Sequence, residues 1–249
     1  MTEQRQTPNA KKTIVLVHGA FADGSSWSKV IPILQKRGFK VIAVQNPTVS
    51  LADDVAAVNR VLETQTEPVV LAGHSWGGVV ITQAGVHEKV AALVYVSAFA
   101  PSENQSVNDL FADYLPPEWF SAVSADSGGF LTISTDGIAE YFAQDLTAEE
   151  KSFVAAVQTP FAASANDDKV TQTAWSQKPS WFVISANDRI IYPDLERKMA
   201  EKIGAKAIEV AASHVSMLAQ PEEVAKVILD AAAITDNLEL TVRTTANSR

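Results

Sequence analysis

The chain has no cysteine, which excludes disulfide bonds, thiolate metal centres and a cysteine nucleophile. It has four histidines, so any imidazole chemistry must be drawn from His18, His74, His87 or His214. No apolar run approaches the roughly 20 residues that cross a bilayer. The polar start from Met1 to Lys12 lacks the hydrophobic stretch of a secretory signal. Basic residues are also outnumbered: 20 Lys and Arg against 29 Asp and Glu leave a net charge of -9, a balance that disfavours nucleic acid and anionic membranes as partners. These absences leave a cytoplasmic protein acting on a small molecule as the expectation. No feature specifies an oligomeric state.

What is present has the profile of one globular domain. Hydrophobic residues make up 47% of the 249 and charged residues 20%, ordinary values for a single α/β unit of this length. The segments Thr13–Val17, Phe39–Val44, Val69–Ala72, Ala91–Ser97, Trp181–Ser185 and Ala207–Val210 read as strands. Several are apolar throughout, as parallel strands covered on both faces must be. Helical patterns lie between them, at Ser25–Arg37, from the capping residue Ser50 to about Glu63, near Tyr192–Glu201 and at Glu222–Ala233. The stripe Val55, Val58, Val61 and Leu62 is the expected buried face of the second of these. Residues 1–12 read as a flexible leader and residues 236–249 as a flexible tail around a domain spanning 13–235.

The most specific signal is Gly73-His74-Ser75-Trp76-Gly77-Gly78, which follows the apolar run Pro68–Ala72 and precedes an amphipathic segment. A strand that turns this tightly into a helix exposes its apex side chain, and glycines remove the β-carbons that would obstruct the closure. Ser75 therefore sits where a nucleophile belongs. The N–H of Trp76, at the start of the helix, is a candidate oxyanion donor. The loop Val17-His18-Gly19-Ala20-Phe21 supplies the second donor, Ala20 first and Phe21 as the alternative.

A serine needs a base to activate it and an acid to orient that base. His74 is expected to point away from Ser75 into the sheet packing, His87 to lie on the surface and His18 to shape its loop. His214 follows the last strand, at the carboxyl edge of the sheet where ligand loops gather, and is the candidate base. Asp188, after the strand Trp181–Ser185, is the candidate acid. Helix capping is its other reading and Glu103 its rival. The chain order is then Ser75, Asp188, His214.

The strand–helix alternation breaks between about residues 101 and 177. This insertion holds ten aromatics, Phe111, Tyr114, Trp119, Phe120, Phe130, Tyr141, Phe142, Phe153, Phe161 and Trp175. Twelve carboxylates face two lysines between residues 101 and 170, so it reads as a lid with an apolar inner and a solvated outer face. Thr147 and Glu150 have the spacing of a capping box. Phe21, Phe99, Phe120 and Phe142 are the expected pocket residues, with no metal and no organic cofactor required.

The loop Val17–Phe21 leading to Trp27, the elbow at Ser75 and the run His214-Val215-Ser216-Met217-Leu218 before a Pro-led helix resemble the α/β-hydrolase superfamily. Within it, they resemble the small group of plant methyl esterases, hydroxynitrile lyases and related bacterial hydrolases. The resemblance covers about residues 13–235 and implies an eight-stranded, mostly parallel sheet with a helical cap over the nucleophile. Hydroxynitrile lyases of this group carry a threonine directly after the first strand and a lysine directly after the catalytic histidine, where this chain has Gly19 and Val215. Related dehalogenases and epoxide hydrolases place an aspartate where Ser75 stands. A serine hydrolase of small, uncharged carboxylic esters or lactones, working through an acyl-enzyme, is the expectation. A carbon–carbon lyase or hydrolase, a hydroxynitrile lyase-like enzyme, a cofactor-free dioxygenase and a ligand-sensing receptor are the alternatives.

Overall fold

The structure, a computed structural model, describes residues 12–246, with side chains as far as residue 233. The expected leader therefore lies outside the described residues except for Lys12. Six strands form one parallel sheet: β1 (Thr13–Val17), β2 (Lys40–Val44), β3 (Val69–Ser75), β4 (Val90–Ala98), and, beyond the insertion, Ser180–Ser185 and Lys206–Val210. Every residue of β1 and β3 is buried, whereas Lys40–Val44 and Lys206–Val210 at the two edges are mostly not. The resemblance implied eight strands, and among the described residues the main sheet has six. Each of the six strand segments read from the sequence supplies one strand.

Helices fill the connections: α1 (Val30–Lys36), α2 (Leu51–Glu63) and α3 (Trp76–Ala84). The first begins later than its pattern suggested. Gly24–Trp27 is a separate 3₁₀ turn capped by Asp23, and Pro32 falls in the first turn of α1, where a missing N–H costs no helical bond. In α2 the buried face is Leu51, Asp54, Ala57, Val58 and Leu62, with Val55 and Val61 only partly covered. The stripe is thus rotated by about one position from the expected one, and it carries a buried aspartate.

The insertion after β4 is mixed rather than helical. It runs through α4 (Val107–Phe111), β5 (Val123–Ala125), β6 (Phe130–Ile133), α5 (Thr135–Gly137) continued by a π turn over Ile138–Phe142, α6 (Ala148–Ala156) and β7 (Phe161–Ala162). β5, β6 and β7 form a small antiparallel sheet. Asp126-Ser127-Gly128-Gly129 makes its hairpin turn, with Asp126 Oδ1 accepting from Gly128 N at 2.8 Å and Phe130 N at 2.9 Å, and Gly129 at φ 80°. The Thr147–Glu150 capping box is formed at the start of α6.

The chain then returns to the main sheet through β8 (Ser180–Ser185), α7 (Pro193–Lys202), β9 (Lys206–Val210), α8 (Ser216–Ala219) and α9 (Pro221–Ala246). The last helix passes Ala233, so the expected tail from residue 236 is helical backbone through Ala246. Among the described residues no helix is long and apolar enough to cross a membrane.

The strand order β2-β1-β3-β4-β8-β9 positions the site. From β1 the chain first moves to one side and then returns to β1's other flank as β3. The carboxyl ends of β1 and β3 consequently form a topological switch point, where the loops diverge and leave a crevice. Gly19–Phe21 and Ser75 sit at those two ends.

Candidate active site

Ser75 ends β3 and caps α3 with φ 52° and ψ -121°. A β-carbon-bearing residue is strained there, and the packing around it holds the strain. Two glycines permit the geometry. A β-carbon on Gly77 would lie 2.5 Å from the carbonyl oxygen of Val17, and one on Gly78 would collide with the carbonyl oxygen of Phe99. The helix can therefore press against the backbone of both neighbouring strands, and Trp76 N–H starts α3 with no carbonyl in the preceding turn of helix to receive it. Across the crevice, Phe21 also takes a positive φ of 58°, which bends the loop that carries the backbone of Ala20 and Phe21 past Ser75.

Asp188 and His214 are brought together from 26 residues apart. Asp188 Oδ2 accepts from His214 Nδ1 at 2.6 Å, both side chains fully buried. Asp188 Oδ1 accepts from Ile190 N at 2.7 Å and Ile191 N at 2.9 Å. One oxygen thus closes the turn before α7 while the other holds the imidazole. His214 Nε2 has no hydrogen-bond partner among the described residues. The rival acid Glu103 is exposed in the loop after β4.

The supports of this pair come from several elements. Ser97 Oγ at the end of β4 bonds Ser185 Oγ at 2.6 Å and Ser216 Oγ at 2.7 Å, all three buried, linking the ends of β4 and β8 to α8. Asp145 of the insertion accepts from Ser213 N at 2.7 Å. His74 is fully buried beneath the His214 loop, not simply in the sheet. Burial holds its pKa well below the usual histidine range, so the ring is neutral and its Nε2 donates to the His214 carbonyl at 2.9 Å. His18 is buried too, with Nδ1 2.9 Å from the Gly19 oxygen and its pKa lowered by burial. His87 is partly buried in the turn after α3, where Nδ1 accepts from Lys89 N.

Two buried acids escaped the sequence reading. Glu196 of α7 is completely buried behind Asp188, with Oε2 accepting from Ser185 N at 3.1 Å. Burial and then the negative charge of Asp188 push its pKa well above the ordinary glutamate value. It shares a helical stripe with the buried Leu195, Met199 and Ala200, and an acid in such a stripe is the signal that could have found it. Asp54 of α2 lies under the elbow. Its Oδ2 accepts from Trp76 Nε1 at 2.7 Å and Asn46 Nδ2 at 3.1 Å, and its Oδ1 from Thr48 N at 2.8 Å. Burial raises its pKa, and the three donors oppose that shift. Replacing Asp54 with leucine would strand three buried donors and is expected to cost about 3 kcal/mol or more of stability. Asp54→Asn, which keeps an acceptor, should cost clearly less. Urea unfolding of the two variants measures the difference.

A cavity of about 430 Å³ opens between the sheet edge and the insertion. Ser75, Ala20 and Trp76 lie in its wall with Phe21, Phe99, Phe120 and Phe142, and with Phe111, Trp119 and Phe161. Phe142 also packs edge-on against His214, 5.0 Å between ring centroids. Among the described residues no charged side chain lines the cavity. Asn108 and Asn166 supply its polar side chains apart from the serine.

A family profile described as the alpha/beta hydrolase family matches residues 14–227, a span that contains the elbow, Asp188 and His214. The chain belongs to that family. Among curated relatives of this alpha/beta hydrolase, Methylesterase 2 of Arabidopsis thaliana is 26% identical over 95% of this chain and 99% of its own. Polyneuridine aldehyde esterase of Rauvolfia serpentina is 26% identical over 89% and 97%. A carbendazim hydrolyzing esterase of Nocardioides sp. (strain SG-4G) is 34% identical, over 49% of this chain and 55% of its own. The crystal structure of polyneuridine aldehyde esterase superposes with a TM-score of 0.77 at 23% identity, covering 88% of this chain and 98% of that one. A pyrethroid hydrolase from Sphingobium faniae JZ-2 does so with a TM-score of 0.75 at 21% identity, covering 89% and 97%.

Proposed function

We propose that the protein is a serine carboxylic ester hydrolase acting on small uncharged esters or lactones. The observation that carries this reading is a buried Asp188–His214 pair with an unpartnered Nε2, packed against Phe142, which lines the same uncharged aromatic cavity as Ser75. In this reading Ser75 Oγ attacks the acyl carbon as His214 Nε2 takes its proton, and the N–H groups of Ala20 and Trp76 receive the oxyanion. The carbon–oxygen bond to the alcohol breaks, and the alcohol leaves with the proton from His214. Water then attacks the acyl-enzyme, giving its proton to His214, and the second collapse returns Ser75 and releases the carboxylic acid. Asp188 keeps Nδ1 protonated and steadies the imidazolium throughout.

The relatives named as esterases support hydrolysis. Gly19 supports it over cyanohydrin cleavage, because a β-carbon there would lie 2.6 Å from the Ser75 β-carbon, leaving no room for a hydroxyl-bearing side chain in this backbone. The insertion acts as the lid in this reading. Its aromatics give the substrate an apolar chamber, and the absence of charge in the wall disfavours acidic substrates, which would be desolvated without a partner.

Initial rates on p-nitrophenyl esters of increasing acyl length test the reading. The expected result is rapid hydrolysis of short and aromatic acyl groups, with rates falling once the acyl chain outgrows the cavity. A folded protein that hydrolyses none of them would transfer the assignment to a lyase or a ligand sensor.

A further inference from the structure

We propose that Glu196 is a positioning residue for the Asp188–His214 pair, donating a hydrogen bond from its carboxylic acid to the Asp188 carboxylate and so setting the orientation and basicity of the acid that holds His214. The inference rests on the ester hydrolase reading of the site.

Glu196 has no solvent exposure, and among the described residues its one backbone donor is Ser185 N, bound at Oε2. Its Oε1 is fully enclosed and receives no N–H or hydroxyl. Glu196 Oε2 holds Ser185 N while Asp188 N binds the Ser185 carbonyl, so the two acids are anchored on one residue, and after burial the charge of Asp188 raises the Glu196 pKa; a bond between two such carboxyl groups requires a proton on one of them. Arg197, the cation next to it on α7, is held outward by a two-pronged pair with Glu209 of β9, at 2.9 and 2.7 Å. Two carboxyls in contact with no cation between them cannot both ionise. Asp188 receives His214 Nδ1, Ile190 N and Ile191 N, whereas Glu196 receives Ser185 N. The better-solvated anion is Asp188, so Glu196 holds the proton. Its unpartnered Oε1 is then a donor whose acceptor is Asp188.

This bond acts in two ways. It adds a fourth donor to a carboxylate already held by three, which fixes the plane in which Asp188 faces His214. It also draws charge from Asp188, which keeps the imidazole from becoming too basic to work near neutral pH.

The test compares E196Q, whose amide retains a donor for Asp188 and an acceptor for Ser185 N, with E196M, which keeps the length and removes both. The titration of His214 is followed by NMR of ring-labelled histidine, and kcat and KM are profiled against pH on a p-nitrophenyl ester. In E196M, Asp188 without its donor becomes more basic, so the His214 pKa and the acid limb of kcat/KM should rise by about half a unit or more. Its kcat should fall about tenfold with KM little changed. E196Q should leave the His214 titration in place and recover most of the lost rate. A downward shift of His214 in E196Q would show that Glu196 had been ionised and would overturn the proposal. So would E196M with native titration and native kcat. If E196M does not fold, E196Q decides by the same titration. Should native protein hydrolyse no ester, the function fails separately, and the NMR titration still reads the effect of Glu196 on His214.

Discussion

Ser75→Ala is expected to lower kcat for ester hydrolysis by about 10⁴-fold or more while the protein stays folded. Without Oγ no acyl-enzyme forms, and what survives is the weaker help of the oxyanion donors to a direct attack by water. The fold should tolerate the change, because Ser75 makes no side-chain cap to α3 and alanine keeps the same β-carbon at φ 52°. Removing a strained apex hydroxyl leaves thermal stability level or slightly raised, since functional sites commonly trade stability for activity. A loss of activity accompanied by a collapse in melting temperature would instead mean that Ser75 is there to build the turn. Substrate binding should survive, with KM changing far less than kcat.

Asp188→Asn should cost nearly as much, about 10³ to 10⁴-fold in kcat. Asp188 presents two oxygens with different duties. An asparagine can keep its carbonyl oxygen toward Ile190 N and Ile191 N, which preserves the turn. It then points an NH₂ group at His214 Nδ1, where a 2.6 Å bond to a carboxylate stood. The imidazole is driven into the tautomer with its proton on Nε2, and that nitrogen can no longer accept one from Ser75. Stability should change little compared with the rate, and KM should stay near native. Asp188→Asn with native kcat would return Asp188 to its other reading, as a residue that only closes the turn before α7.

How far the sequence disclosed these features depends on the kind of signal each leaves. Strands covered on both faces must be apolar at every position, so β1, β3, β4 and β8 stood out as unbroken runs. The elbow was legible because close packing of α3 on β1 and β4 demands glycine at fixed offsets from Ser75. Asp188 and His214 could be named because each follows a strand at the same sheet edge. Their mutual distance is a property of the sheet order, which no local pattern carries. The strand count is a separate lesson. The strand segments legible in the sequence number six, and only the resemblance pointed to eight.

Buried acids were the main omission. Glu196 and Asp194 both fall in the first turn of α7, where acids favour the helix dipole, so neither stood out. Only the rotational position of Glu196, in line with Leu195 and Met199, separates the buried acid from the exposed one. Asp54 is hidden the same way among the exposed acids of α2, and its partner, the indole of Trp76, lies 22 positions away. The small sheet of the insertion was missed because its strands are only two to four residues long, too short for alternation to show. The Asp126–Gly129 turn was the available clue.

The most direct test of the central claim is to find where the acyl group goes. Native protein mixed with excess p-nitrophenyl ester, quenched in acid within the first turnover and digested, should yield one peptide heavier by the acyl group, with the modification mapped to Ser75 by mass spectrometry. The release of p-nitrophenol should show a burst matched to the same stoichiometry wherever deacylation is the slower step. Turnover of the ester with the acyl group mapped to another residue would contradict the assignment of Ser75 as the nucleophile.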